Sequence, residues 1–93
     1  MSDQFQNDES SPKEDDEMTE KALNGDISAF EILVRRHQGA VRGFLAARLS
    51  QKEDAEDLAQ EVFITAYQKR KTFSRQVKIE SWLRGIARNL LLN

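Results

Sequence analysis

Asp57, Gln60 and Glu61 stand three and four residues apart. On a helix that spacing sets all three on one face. Such a face can hold a cation, or it can dock on a basic partner. Further along, seven cations lie between Lys69 and Arg88: Lys69, Arg70, Lys71, Arg75, Lys78, Arg84 and Arg88. Glu80 is the single acid among them, so these twenty residues carry a net charge of +6. That density is an electrostatic footprint for phosphates. Phe73 and Trp82 are interleaved with the cations and Tyr67 lies upstream. Aromatic faces of this kind stack on unpaired bases. The alternative for Phe73 and Trp82 is a place in the core, with the cations as a solvated surface. For the cationic segment as a whole, nucleic-acid binding is the better reading.

Catalysis has less support. His37 is the only histidine, and it reads as a helix-surface residue. The acids Glu53, Asp54, Glu56, Asp57 and Glu61 form a cluster, but no Glu-x-x-His or His-Glu-x-x-His pattern accompanies it. The chain has no phosphate-cradling glycine loop and no nucleophile–base pair at recognisable spacing. The expectation is a protein that is not an enzyme and uses no cofactor or metal. The plain reading of the acidic cluster is helix capping plus a solvated face. Asp54 fits the capping role; Asp57, Gln60 and Glu61 are the candidates for partner docking.

The elements that position these residues read as helices. Apolar spacing is helical throughout, proline is absent after Pro12, and no Asn-Gly or Asp-Gly hairpin signal links apolar runs of alternating period. A short helix is expected over 17–23, ended by Asn24 and Gly25, since glycine accepts the left-handed conformation of a helix C-cap. Asp26 is placed to cap a second helix over 27–49. Its stripe is Ile27, Phe30, Leu33, Val34, Val41, Phe44, Leu45 and Leu49, with Arg35, Arg36, Arg42 and Arg48 largely off it. Gly39 and Gly43 weaken that helix; they either admit a close neighbour or are tolerated. Asp54 is the expected N-cap of a third helix running to Lys71, with Leu58, Val62, Phe63, Ala66 and Tyr67 inward. Residues 74–80 form a loop. A fourth helix starts at Glu80 or Ser81 and buries Trp82, Leu83, Ile86, Ala87, Leu90 and Leu91.

Composition agrees with one small domain. Of 93 residues, the first seventeen hold seven carboxylates against Lys13, a net charge of −6. Apart from Met1 they contain one large apolar residue, Phe5, and read as a disordered acidic tail. Residues 18–93 carry 13 cations and 9 acids, so the overall charge of −2 hides a basic folded part. The absence of cysteine excludes disulfides and thiolate metal sites. No apolar run is long enough to span a membrane, and the acidic N-terminus lacks a signal core. A cytoplasmic location without membrane insertion is expected. The helical pattern still runs at Asn93, which suggests a domain cut from a longer protein.

Four blocks now stand in order: GDISAFEILVRRH at 25–37, DAEDLAQEVFITAY at 54–67, KTF at 71–73 and SWLRGIARNL at 81–90. Together they resemble region 2 of bacterial RNA polymerase sigma factors, most closely the extracytoplasmic-function (ECF) group. The resemblance implies an all-α bundle of three to four helices over 18–93, after the acidic tail of 1–17. It implies that Asp57, Gln60 and Glu61 contact the clamp helices of the beta-prime subunit of core RNA polymerase. It places Phe73, Arg75, Lys78, Ser81, Trp82, Arg84, Arg88 and Asn89 on the non-template strand of the promoter −10 element. In that family the loop after Phe73 receives a flipped base, with Asn89 near it. An anti-sigma protein is the implied regulator. The loop SRQVKIE departs from the family in lacking a glycine and adding Lys78, so its base preference does not transfer. No counterpart of region 4, the −35-reading helix-turn-helix, is present. The rival reading is a helical module that binds polymerase or an anti-sigma protein without reading DNA.

Overall fold

Gly25 sets the first corner of the molecule. It has φ +96°, and the chain around it closes a double bond pattern. Gly25 N–H donates to the Ala22 carbonyl at 3.0 Å and Asp26 N–H donates to the Lys21 carbonyl at 3.0 Å. This is the Schellman arrangement, which satisfies the last carbonyls of a helix and turns the chain. The next residue starts a new helix: Asp26 Oδ1 accepts from Ala29 N–H at 3.1 Å, the expected N-cap bond.

The computed structural model describes residues 12–74 and 76–93, with side chains from Glu17 onward. Its helices are α1 (Pro12–Leu23), α2 (Ile27–Ala46), α3 (Lys52–Gln68) and α4 (Ile79–Leu92), with a 3₁₀ turn at Arg70–Thr72 between α3 and α4. The described residues contain no strand, and the all-α expectation holds. They also contain no helix long and apolar enough to cross a membrane.

Five element boundaries correct the sequence expectation. Two of them are the end of α3 at Gln68 rather than Lys71, where the chain tightens into the 3₁₀ turn, and the start of α4 at Ile79 rather than Glu80 or Ser81. Helix α1 begins at Pro12, so residues 12–17 are helical where a tail was expected; residues 1–11 lie outside the described residues. Proline suits the first helical position because its φ is preset and its missing N–H would be unpaired there. Helix α3 begins at Lys52, and its N-cap is Gln51 rather than Asp54, with no side-chain capping bond. Asp54 lies inside the first turn with Glu53, where negative charge meets the positive end of the helix dipole. Helix α2 ends at Ala46 rather than Leu49. There the Arg48 Nη1 donates to the Phe44 carbonyl at 2.8 Å and closes the terminus.

The core has two parts. The larger joins α2, α3 and α4 through Val41, Leu45, Ala55, Ala59, Val62, Phe63, Ala66, Ile79, Leu83, Ile86 and Ala87. Leu45 and Val62 are its largest fully buried side chains. Alanines at 55, 59 and 66 keep the inward face of α3 shallow, which lets helices approach. The smaller part, Ala22, Ala29 and Leu33 with Met18 and Phe30 against it, seats α1 on α2. Phe30 also packs against the larger cluster. It meets Tyr67 of α3 edge to face, with ring centroids 5.1 Å apart, a favoured aromatic geometry.

One residue departs from expectation, and an open choice at two others is decided. His37 is buried at 7% exposure rather than lying on the surface. It falls on the stripe Ala29, Leu33, His37, Val41, Leu45, and its Nε2 finds no hydrogen-bond partner. Gly39 and Gly43 do not admit a close neighbour: a Cβ at either meets nothing within 4 Å. They are tolerated on the exposed side of α2.

Candidate nucleic-acid interface

The connection from α3 to α4 is held tightly at its start. Lys69 N–H donates to the Thr65 carbonyl at 2.9 Å. The Lys69 carbonyl accepts twice in return, from Thr72 N–H at 2.9 Å and from Thr72 Oγ1 at 2.8 Å. Arg70 is drawn inward. Its Nη1 donates to the Tyr67 carbonyl at 2.9 Å, its guanidinium carbon lies 4.3 Å from the Tyr67 ring centroid, and its Nε is buried without a partner. Arg70 is therefore structural, and the cationic segment presents fewer free charges than its sequence suggests. A short turn follows, in which Ser74 Oγ accepts from Gln76 N–H at 3.2 Å.

Between this connection and α4 lies an open groove of about 410 Å³. Lys69, Thr72 and Val77 form one wall; Ser81, Trp82, Gly85, Ile86 and Asn89 of α4 form the other. Three of the residues expected on DNA, Ser81, Trp82 and Asn89, are thus brought together. Trp82 is half-buried, and its ring lies against Phe73 with centroids 5.1 Å apart. Both aromatic rings pack on the main core. Phe73 takes the core role weighed for it, while Trp82 anchors the core on one side and also walls the groove.

The remaining expected residues lie elsewhere. Lys78 is exposed at the N-cap of α4. Arg84 is exposed and lines a different, smaller cleft of about 70 Å³ with His37, Ala40, Val41, Glu80 and Leu83. Arg88 lies 5.8 Å from the Phe44 ring centroid, on whose ring Arg48 sits at 3.7 Å. Arg75 lies outside the described residues. Val77 lies in the loop expected to receive a base; the groove residues Lys69, Thr72 and Gly85 were not anticipated. Lys69 counted only as one of seven cations, and no periodic signal marks residues that a turn and a loop bring to a helix.

Asp57, Gln60 and Glu61 are all exposed on α3. Gln60 also lines an open cleft of about 430 Å³ between α2 and α3, with Val34, Gln38, Arg42, Glu56, Ala59, Phe63 and Ile64. Ile64 is 56% exposed beside it. The described residues hold no group of three or more His, Cys, Asp or Glu side chains arranged to bind a metal ion.

The fold defines a small helical domain with two distinct surfaces. Residues 33–93 match the sigma-70 region 2 family, and the chain belongs to that family. It is 32% identical over 81 residues to RNA polymerase sigma-H factor of Pseudomonas aeruginosa, covering 87% of this chain and 42% of that protein. It is 37% identical over 79 residues to ECF RNA polymerase sigma-E factor of Haemophilus influenzae, covering 85% of this chain and 41% of that protein. The chain thus spans about two fifths of the length of these relatives. Among solved structures it resembles an engineered region 2 of sigmaE in complex with GTAAAA, with a TM-score of 0.74 and 32% identity over 96% of this chain and 84% of that one.

Proposed function

We propose that this chain is the region 2 domain of an ECF-type sigma factor, acting in transcription initiation. On this reading it binds core RNA polymerase and captures the unpaired non-template strand of a promoter −10 element. The observation that carries it is the groove between the α3–α4 connection and α4, where Ser81, Trp82 and Asn89 meet Lys69 and Thr72. The similar engineered region 2 of sigmaE is in complex with GTAAAA. Extruding a base from a duplex costs a few kcal/mol, which stacking and hydrogen bonds in a pocket must offset. An aromatic wall with hydroxyl and amide groups beside it has the composition for that.

The finer assignments follow from this reading. Asp57, Gln60 and Glu61 dock on the basic clamp helices of the beta-prime subunit, because they form an exposed polar face on a well-anchored helix. Lys78, Arg84 and Arg88 hold phosphates along the strand, with Arg75 and Phe73 in the loop. The working domain is 18–93, an anti-sigma protein regulates it, and it performs no catalysis. Its place of action is the cytoplasm, with polymerase.

Trp82 supplies the test. It is the only tryptophan, so its fluorescence reports on the groove. Titration with a single-stranded −10-like oligonucleotide is expected to change its emission, whereas duplex of the same sequence leaves it unchanged. The affinity falls with salt as phosphate contacts release counterions. An oligonucleotide that fails to bind at low salt removes DNA capture and leaves the domain as a protein-interaction module.

A further inference from the structure

Among the described residues, the groove's charge sits on one side chain. Of the described side chains that line it, Lys69 alone is ionised. Its neighbour Arg70 is spent on Tyr67. The backbone of Lys69 is fixed by bonds to Thr65 and from Thr72, so the ammonium is tethered to a rigid point at the groove wall. The other polar groups there discriminate weakly. The Ser81 hydroxyl rotates to donate or accept, and the Asn89 amide offers both a donor and an acceptor. Thr72 Oγ1 already donates to the Lys69 carbonyl, which leaves it as an acceptor. An ammonium has three donors and no acceptor.

We propose that Lys69 makes this groove selective for a base with a keto group, guanine or thymine, over one with an exocyclic amine, adenine or cytosine. Guanine O6 and thymine O4 accept where adenine N6 and cytosine N4 donate. Adenine keeps an acceptor at N7 and cytosine one at N3, but on each the amine beside it sets donor against donor at Lys69, whereas guanine offers O6 and N7 together and thymine an unopposed O4. Thr72 pulls the other way as a neutral acceptor, but charge-assisted hydrogen bonds are roughly twice as strong as neutral ones, so the lysine decides. Lysine on guanine O6 and N7 is a common form of specific base contact. The inference rests on the strand-capture reading and adds a base class to it.

The test uses the whole chain and labelled six-nucleotide single strands derived from GTAAAA, in which each position in turn carries each of the four bases. Fluorescence anisotropy gives the affinities, and circular dichroism checks that Lys69→Met, a change at an exposed side chain, stays folded. The expected result is one position at which guanine and thymine bind on the order of tenfold tighter than adenine and cytosine, the size of one base-edge contact. Lys69→Met abolishes that ratio at that position alone. A uniform loss of affinity across all strands in Lys69→Met makes Lys69 a phosphate contact and overturns the proposal. So does binding without a keto preference at any position. If no strand binds the native chain, the strand-capture reading itself falls, and this inference falls with it.

Discussion

The outer face of α3 and the groove beside α4 are two surfaces built by different means. Asp57, Gln60 and Glu61 come from one helix and need only its periodicity to be neighbours. The groove takes Lys69 and Thr72 from a turn, Val77 from a loop, and Ser81, Trp82 and Asn89 from a helix. Its walls are neighbours only because α3 and α4 pack together with α2 in the core around Leu45 and Val62. The first surface is therefore locally encoded, while the second depends on tertiary packing. Damage to the shared core should erase the groove before it erases the polar face, because a helix can persist where a junction cannot.

The strongest perturbation tests that dependence. Leu45 is fully buried, and Leu45→Ala should lower stability by about 2–5 kcal/mol through lost burial and a residual cavity. Chemical denaturation reads this directly, and strand binding should fall with it. Next in size is Trp82→Ala, expected to weaken single-strand binding by roughly 1–3 kcal/mol for the lost stacking surface. Binding to a beta-prime clamp-helix fragment should change little, and equal losses at both partners would mean the surfaces are not separate. The converse pair is Asp57→Ala and Gln60→Ala, expected to weaken clamp-helix binding without altering strand affinity or the melting temperature. Unchanged docking in both variants would remove the α3 face from the polymerase contact. A smaller effect concerns His37, whose buried Nε2 lacks a partner. An unsatisfied buried polar atom costs about 1–3 kcal/mol, so His37→Leu should match or exceed the native stability in a thermal melt. The smallest is Asp26→Ala, which removes a capping bond and should cost about 1 kcal/mol.

The same contrast explains what was legible in the sequence. Four helices followed from apolar period, and Gly25 and Asp26 marked their junction because each has a local conformational or hydrogen-bonding reason to be there. Ends set by weaker signals shifted. Glu53 and Asp54 both suit the dipole in the first turn of α3, so neither singled itself out, and Gln51 took the cap position without a side-chain bond. His37 shows the limit of residue type as evidence. Histidine favours the surface, yet the stripe spacing at 29, 33, 37, 41 and 45 set it inside. Ile79 was assigned to the loop and proves to be a buried anchor of α4, because a single isoleucine before a helix carries no period. The groove was legible on its α4 wall, where Ser81, Trp82 and Asn89 lie within one helix. On the opposite wall it was not, since the contact of Lys69 and Thr72 with α4 arises only from how the chain turns. Arg70 likewise counted as a free cation until its stacking on Tyr67 was visible.

The central claim is that an unpaired strand occupies the α4 groove and leaves the α3 face clear for a protein partner. Amide chemical-shift mapping by NMR during titration with single-stranded GTAAAA tests it most directly. The expected shifts cluster at Lys69, Thr72, Val77, Ser81 and Asn89 and at the Trp82 indole, with Asp57, Gln60 and Glu61 unmoved. Shifts centred on the α3 face, or none anywhere at low salt, would contradict the account.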